Sequence, residues 1–515
     1  MSVSTVEEYT AETAPPKPSP PARPLSASAH TRRSYLFLLA ALPLLPFANG
    51  TSSVPLAAWL APALLLCFVR ARPAARGLAV GFVAFYAAWC VQWRGVVRLP
   101  WAAFLVAGAV LALVGFLPYA ADRLLATRLR GLKATLVFPS ALVTMEYLFN
   151  VFGPNGSWGS LAYTQYGNLA LLQLVSLTGL WGLSFLIGWG AGTAAYVFEP
   201  GRARSERRRA GLAFAAVLAA ALLYGGARLA LPHAGGPLLR VASVSPQYEK
   251  NENYEEALAA EIQDYLYARS EREALAGAKM ILWAEDSFAV WKRDEPAALE
   301  RARDFARRHG VYFGLAYGAR VEEGSRRYEN KSVMFTPAGE VAWEYLKAHP
   351  VPGYEERYMV RGEAAAPTHA APEGRFAAAI CYDGDFPGFI RPTAPADLLV
   401  LHADDWRAIT PFHARMSVFR AVELGVSLVR PTMNGLSLAA DYRGEILASL
   451  NHFDSADRVM TAGVPTRGVT TLYALVGDAF AWLAALCLLT LTAFALLGPR
   501  RTAGAPRGVK ASGRL

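Results

Sequence analysis

The sequence predicts a polytopic α-helical membrane bundle of about eight crossings, joined to an extracytoplasmic α/β domain. Two observations support this fold class. Hydrophobic residues make up 54% of the 515 residues and charged residues only 18%, against about 25% charged residues in a typical soluble domain. Apolar stretches also lie at both ends of the chain, whereas the block 232–470 between them alternates short apolar runs with polar helical patterns.

Eight apolar stretches are the predicted membrane crossings, because a helix of about 20 mostly apolar residues spans a bilayer. The first three of them are shorter than this length. The stretches cover 34–47, 54–69, 77–91, 99–120, 134–152, 169–198, 211–231 and 471–497.

The distribution of Lys and Arg predicts the orientation of these crossings, since cytoplasmic connections carry the basic residues. The five segments on the inferred cytoplasmic side contain 21 Lys and Arg residues against six Asp and Glu. The short connections between crossings on the other side contain only Arg94 and Arg98 as basic residues. The net charge of +10 therefore reflects topology, and we expect no nucleic-acid partner.

The same reasoning predicts five regions. Residues 1–33, rich in Pro, Ala, Ser and Thr, are predicted to be a disordered cytoplasmic tail. A bundle of seven crossings at 34–231 is followed by an extracytoplasmic domain at 232–470, a final crossing at 471–498 and a basic cytoplasmic tail at 499–515.

Strand-like and helix-like segments alternate within 232–470, which predicts a layered α/β domain. The predicted strands are 240–244, 280–283, 311–317, 331–335, 376–382, 398–401 and 427–431. The predicted helices are 254–275 and 296–308.

Cys381 is the candidate nucleophile of this domain. The other three cysteines lie in membrane stretches, where a thiol usually behaves as a small apolar side chain. Cys381 directly follows the apolar run 376–380, and a strand end holds a side chain rigidly while the next turn can direct backbone N–H groups at an oxyanion. The alternative is a buried structural cysteine, because free cysteine is among the most buried residue types.

Two charged residues also follow predicted strands. Glu285 comes just after 280–283, and Lys347 ends the segment that begins at Val341. Taken singly, each is explained as a solvated surface residue. Together with Cys381 they supply a base, a cation for an oxyanion and a nucleophile, which acyl transfer through a thioester requires.

These residues resemble the three catalytic motifs of the nitrilase, or carbon–nitrogen hydrolase, superfamily in chain order. The matching motifs are Trp-Ala-Glu at 283–285, Tyr-Leu-Lys at 345–347 and Cys-Tyr-Asp at 381–383. The resemblance implies an αββα sandwich. It also implies that Glu285 is the general base, Lys347 the oxyanion-stabilising cation and Cys381 the acyl-accepting nucleophile.

The crossings around this domain resemble the apolipoprotein N-acyltransferase family, the membrane-embedded branch of the superfamily. The segments 157–163 and 179–185 are similar to that family's membrane motifs. Glu146 is an acid within a membrane stretch, where such residues are costly and usually functional. The candidate supporting or substrate-binding residues are Glu355, Tyr382, Asp383, Trp158 and Glu146.

The resemblance implies an acyltransferase of the bacterial inner membrane with its catalytic domain on the periplasmic side. The acyl chain would pass from a phospholipid, through a thioester on Cys381, to the α-amino group of the diacylglyceryl-cysteine of an apolipoprotein. We expect the chain to be a monomer. We expect neither a metal nor another cofactor, because the sequence has no H-E-x-x-H pattern, no paired cysteines and no phosphate-binding glycine loop.

Two other functions are compatible with the same residues. The first is a membrane-tethered amidase that uses water as the acceptor, which Asp383 favours because Cys-Tyr-Asp is common among soluble nitrilases. The second is a non-catalytic envelope scaffold that carries a degenerate nitrilase domain.

Overall fold

The computed structural model describes residues 27–233, 236–247, 256–362 and 365–498. Its first part is helical. The helices are α1 (Ala27–Ala41), α2 (Pro55–Ala71), α3 (Ala74–Gln92), α4 (Trp101–Leu125), α5 (Leu132–Thr135), α6 (Val137–Phe152), α7 (Leu169–Leu172), α8 (Val175–Thr178), α9 (Leu180–Phe198) and α10 (Arg204–Ala230).

The second part combines strands and helices. The strands are β1 (Leu238–Val244), β2 (Met280–Trp283), β3 (Ala289–Trp291), β4 (Tyr312–Arg320), β5 (Tyr328–Phe335), β6 (Val341–Leu346), β7 (Thr368–Ala371), β8 (Gly374–Ile380), β9 (Leu398–Asp404), β10 (Ser427–Arg430), β11 (Thr432–Met433), β12 (Leu436–Ala440), β13 (Ile446–Asn451) and β14 (Val459–Pro465). The helices are α11 (Glu256–Leu275), α12 (Glu295–His309), α13 (Pro387–Ile390), α14 (Phe412–Leu424), α15 (Leu472–Val476) and α16 (Ala479–Leu497).

Six segments of the described chain are long and apolar enough to cross a membrane. They are Ala74–Gln92, Trp101–Arg128, Leu132–Phe152, Leu180–Phe198, Arg204–Ala230 and Ala479–Leu497. The first two predicted stretches correspond to α1 and α2, whose 15 and 17 residues fall below the usual spanning length. The predicted combination of a membrane bundle and an α/β domain is confirmed.

The chain ends differ in part from the prediction. Residues 1–26 and 499–515 of the two predicted tails lie outside the described residues. The structure begins α1 at Ala27, inside the predicted tail 1–33. Residues 27–33 contain neither Pro nor Gly, so the helix formed by the following apolar stretch can extend back through them.

Two predicted crossings are interrupted by glycines. The stretch 169–198 breaks at Gly179, which has φ 63°, a left-handed conformation that favours glycine. A Cβ at Gly179 would lie 2.5 Å from the ring of Tyr473. The stretch 471–497 breaks in the same way at Gly477, which has φ 60° and separates α15 from α16. The side chain of Tyr473, from α15, therefore shapes the start of α9.

Two seven-stranded sheets form the α/β part. The first sheet has the order β14-β1-β2-β4-β5-β6, with β3 paired to β4, and the second has the order β13-β12-β10-β9-β8-β7, with β11 paired to β9. Their centres are parallel, since β1, β2 and β4 run together in the first sheet and β8, β9 and β10 in the second.

The sheets pack face to face between helical layers. Along β8, Phe376 and Ala378 face the first sheet, whereas Ala377 and Ala379 face α14 and the membrane helices. The outer face of the first sheet packs against α11 and α12. Because α14 shares one apolar core with both the second sheet and the membrane bundle, the catalytic end of the second sheet is held close to the membrane helices.

Candidate active site

Three predicted site residues meet at strand ends from both sheets. Glu285 follows β2 and Lys347 follows β6 of the first sheet, while Cys381 follows β8 of the second. The ammonium of Lys347 lies 2.8 Å from Oε1 of Glu285. All three side chains are buried, and all three line one cavity.

Glu285 is held by three donors. Asn330 Nδ2 and Lys347 Nζ donate to Oε1 at 2.7 and 2.8 Å, and the backbone N–H of Asp404 donates to Oε2 at 2.7 Å. Burial raises the pKa of Glu285 above its ordinary value, although Lys347 opposes this shift. A carboxylate with a raised pKa is a stronger base, which suits proton abstraction.

Lys347 is clamped between two carboxylates. Its Nζ donates to Glu285 and to both oxygens of Glu355, at 2.9 and 2.8 Å. Burial alone would lower the pKa of Lys347, but Glu285 and Glu355 hold it well above its ordinary value. The backbone N–H of Val351 also donates to Glu355 at 2.8 Å. Lys347 therefore remains a fixed cation next to the thiol.

Cys381 begins a tight turn, Cys381–Asp385. Its φ of 48° is unusual for a residue with a side chain and typical of strained functional positions. Its Sγ lies 3.8 Å from the carbonyl oxygen of Asp404. Burial and the charge of Glu285 raise the pKa of the thiol well above its ordinary value, while Lys347 opposes them. The resting thiol is therefore protonated and needs a base to become a nucleophile.

The two residues after Cys381 have different surroundings. Asp383 accepts hydrogen bonds from the Tyr345 hydroxyl at 2.7 Å and the backbone N–H of His349 at 2.8 Å. Asp383 is fully buried, so its hydrogen bonds hold the turn from the protein interior. Tyr382 lines the cavity and donates its hydroxyl to the carbonyl of Pro154 at 2.8 Å.

The loop after α6 braces the same turn. Trp158 donates its indole N–H to Oδ2 of Asp385 at 2.6 Å, and Ser157 donates its hydroxyl to the carbonyl of Asp385 at 2.7 Å. Glu146, in α6, accepts from the Ser160 hydroxyl and the Leu161 N–H, both at 2.9 Å. Glu146 and Trp158 line the cavity.

The sequence analysis missed a buried charged network beside Cys381. His413 lies 2.7 Å from Asp405 and 3.0 Å from Asp385, and Arg430 pairs with Asp405 at 2.9 Å. Burial alone would lower the pKa of His413, but the two aspartates raise it to about 9. Asp405 follows β9 and Arg430 is the last residue of β10. The sequence prediction ended the first of these strands at 401 and placed Arg430 inside 427–431, so the strand-end criterion did not select them.

Three of these residues also offer metal-binding atoms. Donor atoms of Cys381, Asp405 and His413 lie within 4.8 Å of one another. Both ring nitrogens of His413 already contact carboxylates, and Asp405 is paired with Arg430. These donors are engaged in the charged network, so they give no reason to propose a metal.

The cavity that contains the triad has a volume of about 1090 Å³ and continues between the membrane helices. Its apolar wall comes from α3, α4 and α6 and includes Phe85, Trp89, Leu111, Leu142 and Met145. Glu285, Lys347, Cys381 and Tyr382 line it as well. One continuous space therefore connects apolar membrane helices with a buried thiol.

Comparisons with known proteins match both parts of the chain. Residues 38–193 match the family model of the apolipoprotein N-acyltransferase N-terminal domain, and residues 240–472 match that of carbon–nitrogen hydrolase. The apolipoprotein N-acyltransferase of Geobacter metallireducens is 28% identical over 490 residues, which cover 88% of this chain and 93% of the relative. That of Azotobacter vinelandii is 30% identical over 464 residues, which cover 82% and 87%.

A solved amidase structure from Nesterenkonia sp. is similar to this chain, with 20% identity and a TM-score of 0.40 over 48% of this chain and 97% of the amidase. The membrane-spanning helices, the two matched family models and the relatives together define a membrane-bound acyltransferase. With relatives aligned along most of its length, this chain belongs to the apolipoprotein N-acyltransferase family.

Proposed function

We propose that this chain transfers an acyl chain from a phospholipid, through a thioester on Cys381, to the α-amino group of the diacylglyceryl-cysteine of an apolipoprotein. The observation that carries the proposal is the cavity that runs from the apolar membrane helices to Cys381. A lipid chain can remain in an apolar environment there, whereas its exposure to water would cost about 0.8 kcal/mol for each CH₂.

In the first half-reaction, Glu285 takes the thiol proton and the sulfur attacks the ester carbonyl. The resulting oxyanion is stabilised by the ammonium of Lys347, which Glu285 and Glu355 hold in place. The carbon–oxygen ester bond then breaks, and Glu285 returns the proton to the departing lysophospholipid alkoxide. The product is an S-acyl Cys381 thioester.

In the second half-reaction, the α-amino group attacks the thioester carbonyl. Glu285 receives the proton that the amine loses and passes it to the thiolate released when the carbon–sulfur bond breaks, which restores the Cys381 thiol. Two steps through a reactive thioester replace one difficult direct amidation. Tyr382, Asp383, Trp158 and Glu146 act as supporting residues in this scheme, since they shape the turn or the cavity wall.

We also propose the location of these reactions. The bundle at 34–231 and the last crossing at 471–498 lie in the bacterial inner membrane, with the catalytic domain 232–470 on the periplasmic side and the chain acting as a monomer. The 21 basic residues of the inferred cytoplasmic segments support this orientation. Reporter fusions after Leu231 should be active outside the cytoplasm, and fusions after Arg501 inside it.

The decisive experiment supplies the purified protein with a phospholipid and a diacylated lipopeptide. We expect a triacylated lipopeptide and lysophospholipid in equal amounts, together with a thioester on Cys381 when the lipopeptide is omitted. Cys381→Ala should abolish both, and the matched variant Cys67→Ala should retain both. Release of free fatty acid with no acylated peptide would instead indicate a hydrolase, and the absence of any turnover would favour a scaffold.

A further inference from the structure

Arg98 is one of two exceptions to the charge distribution that predicts the topology. It lies in the connection between α3 and α4, on the side where Lys and Arg are otherwise absent from the short connections between crossings. Arg98 lines the cavity that contains Cys381, whereas Arg94, four residues earlier in the same described connection, does not. Of these two basic residues, only Arg98 is therefore in a position to contact a molecule bound in the cavity.

Two aromatic rings hold the Arg98 guanidinium. Its Cζ lies 4.6 Å from the ring centroid of Trp406 and 5.7 Å from that of Tyr354. The Trp406 indole N–H in turn donates to the carbonyl of Gly95 at 3.2 Å. Stacking of this kind orients the guanidinium plane and leaves its N–H edge available for two oxygens of a carboxylate or a phosphate. Within the described chain, no carboxylate forms an ion pair with Arg98.

Both rings belong to loops that build the active site. Trp406 comes two residues after Asp404, whose carbonyl lies 3.8 Å from the Cys381 sulfur. Tyr354 directly precedes Glu355, which binds the Lys347 ammonium. Arg98 is therefore held by the two loops that carry Asp404 and Glu355, and it is an exposed residue that lines the same cavity as Cys381. In a glycerophospholipid, only the glycerol unit separates the ester carbonyl from the phosphate.

We propose that Arg98 binds the phosphodiester of the donor phospholipid while the donor's ester carbonyl lies at Cys381. This inference rests on the proposed function. The diacylglyceryl-cysteine acceptor contains no phosphate, so Arg98 contributes to the first half-reaction and not to the second. A phosphate contact that only one substrate can make lets a single cavity favour the donor when Cys381 is free.

The test compares two acyl donors that differ only in the phosphate headgroup. Single-turnover acylation of Cys381 is measured with a phospholipid and with a diacylglycerol of the same chains. Arg98→Gln should lower the second-order rate constant of acylation by the phospholipid by about tenfold, the effect of one charge-assisted hydrogen-bond pair at an accessible site, and leave that by diacylglycerol unchanged. Acylation of Arg98→Lys by the phospholipid should be intermediate between that of wild type and that of Arg98→Gln, because lysine keeps the charge but not the planar stacking.

Arg94→Gln is the matched control and should behave as wild type with both donors. Acyl-enzyme prepared from Arg98→Gln and chased with lipopeptide should transfer its chain at the wild-type rate. The proposal is overturned if Arg98→Gln keeps the wild-type preference for phospholipid, or if Arg94→Gln loses as much acylation by phospholipid as Arg98→Gln does. It is also overturned if transfer from the Arg98→Gln acyl-enzyme to lipopeptide slows as much as its acylation. Absence of any phospholipid-derived thioester in wild type would overturn the proposed function itself.

Discussion

Trp158 donates its indole N–H to Oδ2 of Asp385 at 2.6 Å, across 227 residues of sequence. Asp385 ends the turn that Cys381 begins, and Ser157 donates to the carbonyl of the same Asp385. The loop between two membrane helices therefore holds the nucleophile turn directly. A displacement of the membrane loop would be passed to the reacting sulfur through these contacts.

Trp158→Phe should lower the rate of Cys381 acylation without unfolding the protein. The variant keeps the ring contacts with Phe412 and His413 but loses the donor to Asp385. A hydrogen bond to a charged group contributes about 1.5–3 kcal/mol, and only part of that will appear in the rate, so we expect a decrease of about tenfold. Single-turnover acylation measures it, with Trp101→Phe, an exposed tryptophan at the start of α4, as control. Equal rates for the two variants would contradict this bracing role.

Glu285→Gln and Glu355→Gln should lower the rate of acyl transfer to different degrees. Glu285→Gln keeps the shape but removes proton transfer, which contributes roughly 10² to 10⁴-fold, so both half-reactions should slow. Glu355 binds Lys347 and the Val351 N–H, and glutamine can retain part of that bonding, so Glu355→Gln should lose less. Acylation and lipopeptide chase are measured separately. If Glu355→Gln were inactive while Glu285→Gln kept normal acylation, the role of general base would belong to Glu355 and not to Glu285.

The stability of the charged network should depend on pH through His413. Burial alone would lower the pKa of His413, but Asp385 and Asp405 raise it to about 9, above about 6.5 in the unfolded chain. The stabilisation is therefore complete below about pH 6.5 and is lost as the pH rises through about 9. The difference in Tm between wild type and His413→Gln should shrink over this interval.

His402→Gln is the control for that measurement. His402 is equally buried, and its Nδ1 lies 2.7 Å from the carbonyl of Trp283. Burial lowers the pKa of His402 to about 4, so it is uncharged throughout the interval. The Tm difference between wild type and His402→Gln should stay constant from about pH 7.5 to 9, where His402 is uncharged in the unfolded chain as well. A His413→Gln difference that is equally constant would show that His413 is neutral in the folded protein.

Local patterns predicted the positions of Glu285, Lys347 and Cys381 because each one comes at the end of a short apolar run of the sequence. The resemblance supplied their roles. Asp405 and Arg430 also lie at or just after the ends of the observed β9 and β10. The prediction did not find them because it ended the first strand at 401 and placed Arg430 inside the strand 427–431.

Long-range contacts account for what the sequence could not predict. The predicted crossing 169–198 runs through Gly179 in the sequence, whereas in the structure it breaks there, where the ring of the distant residue Tyr473 packs against the glycine. The bond between Trp158 and Asp385 likewise joins two domains. Neither contact leaves a periodic signal, because the partner residues have no fixed spacing.

The pair formed by Arg70 and Asp122 gives a prediction for the membrane bundle. Arg70 Nε and Nη2 donate to the two oxygens of Asp122 at 2.7 and 2.6 Å, joining α2 to α4, and both side chains are almost fully buried. Asp122→Asn leaves a buried charge without its main partner, which costs about 3–5 kcal/mol, so the Tm in detergent should fall clearly. Asp122→Asn combined with Arg70→Gln removes both charges and should recover much of that loss. The control Arg76→Gln, at an exposed position of α3, should have the same Tm as wild type. If Asp122→Asn also has the wild-type Tm, the ion pair does not stabilise the bundle.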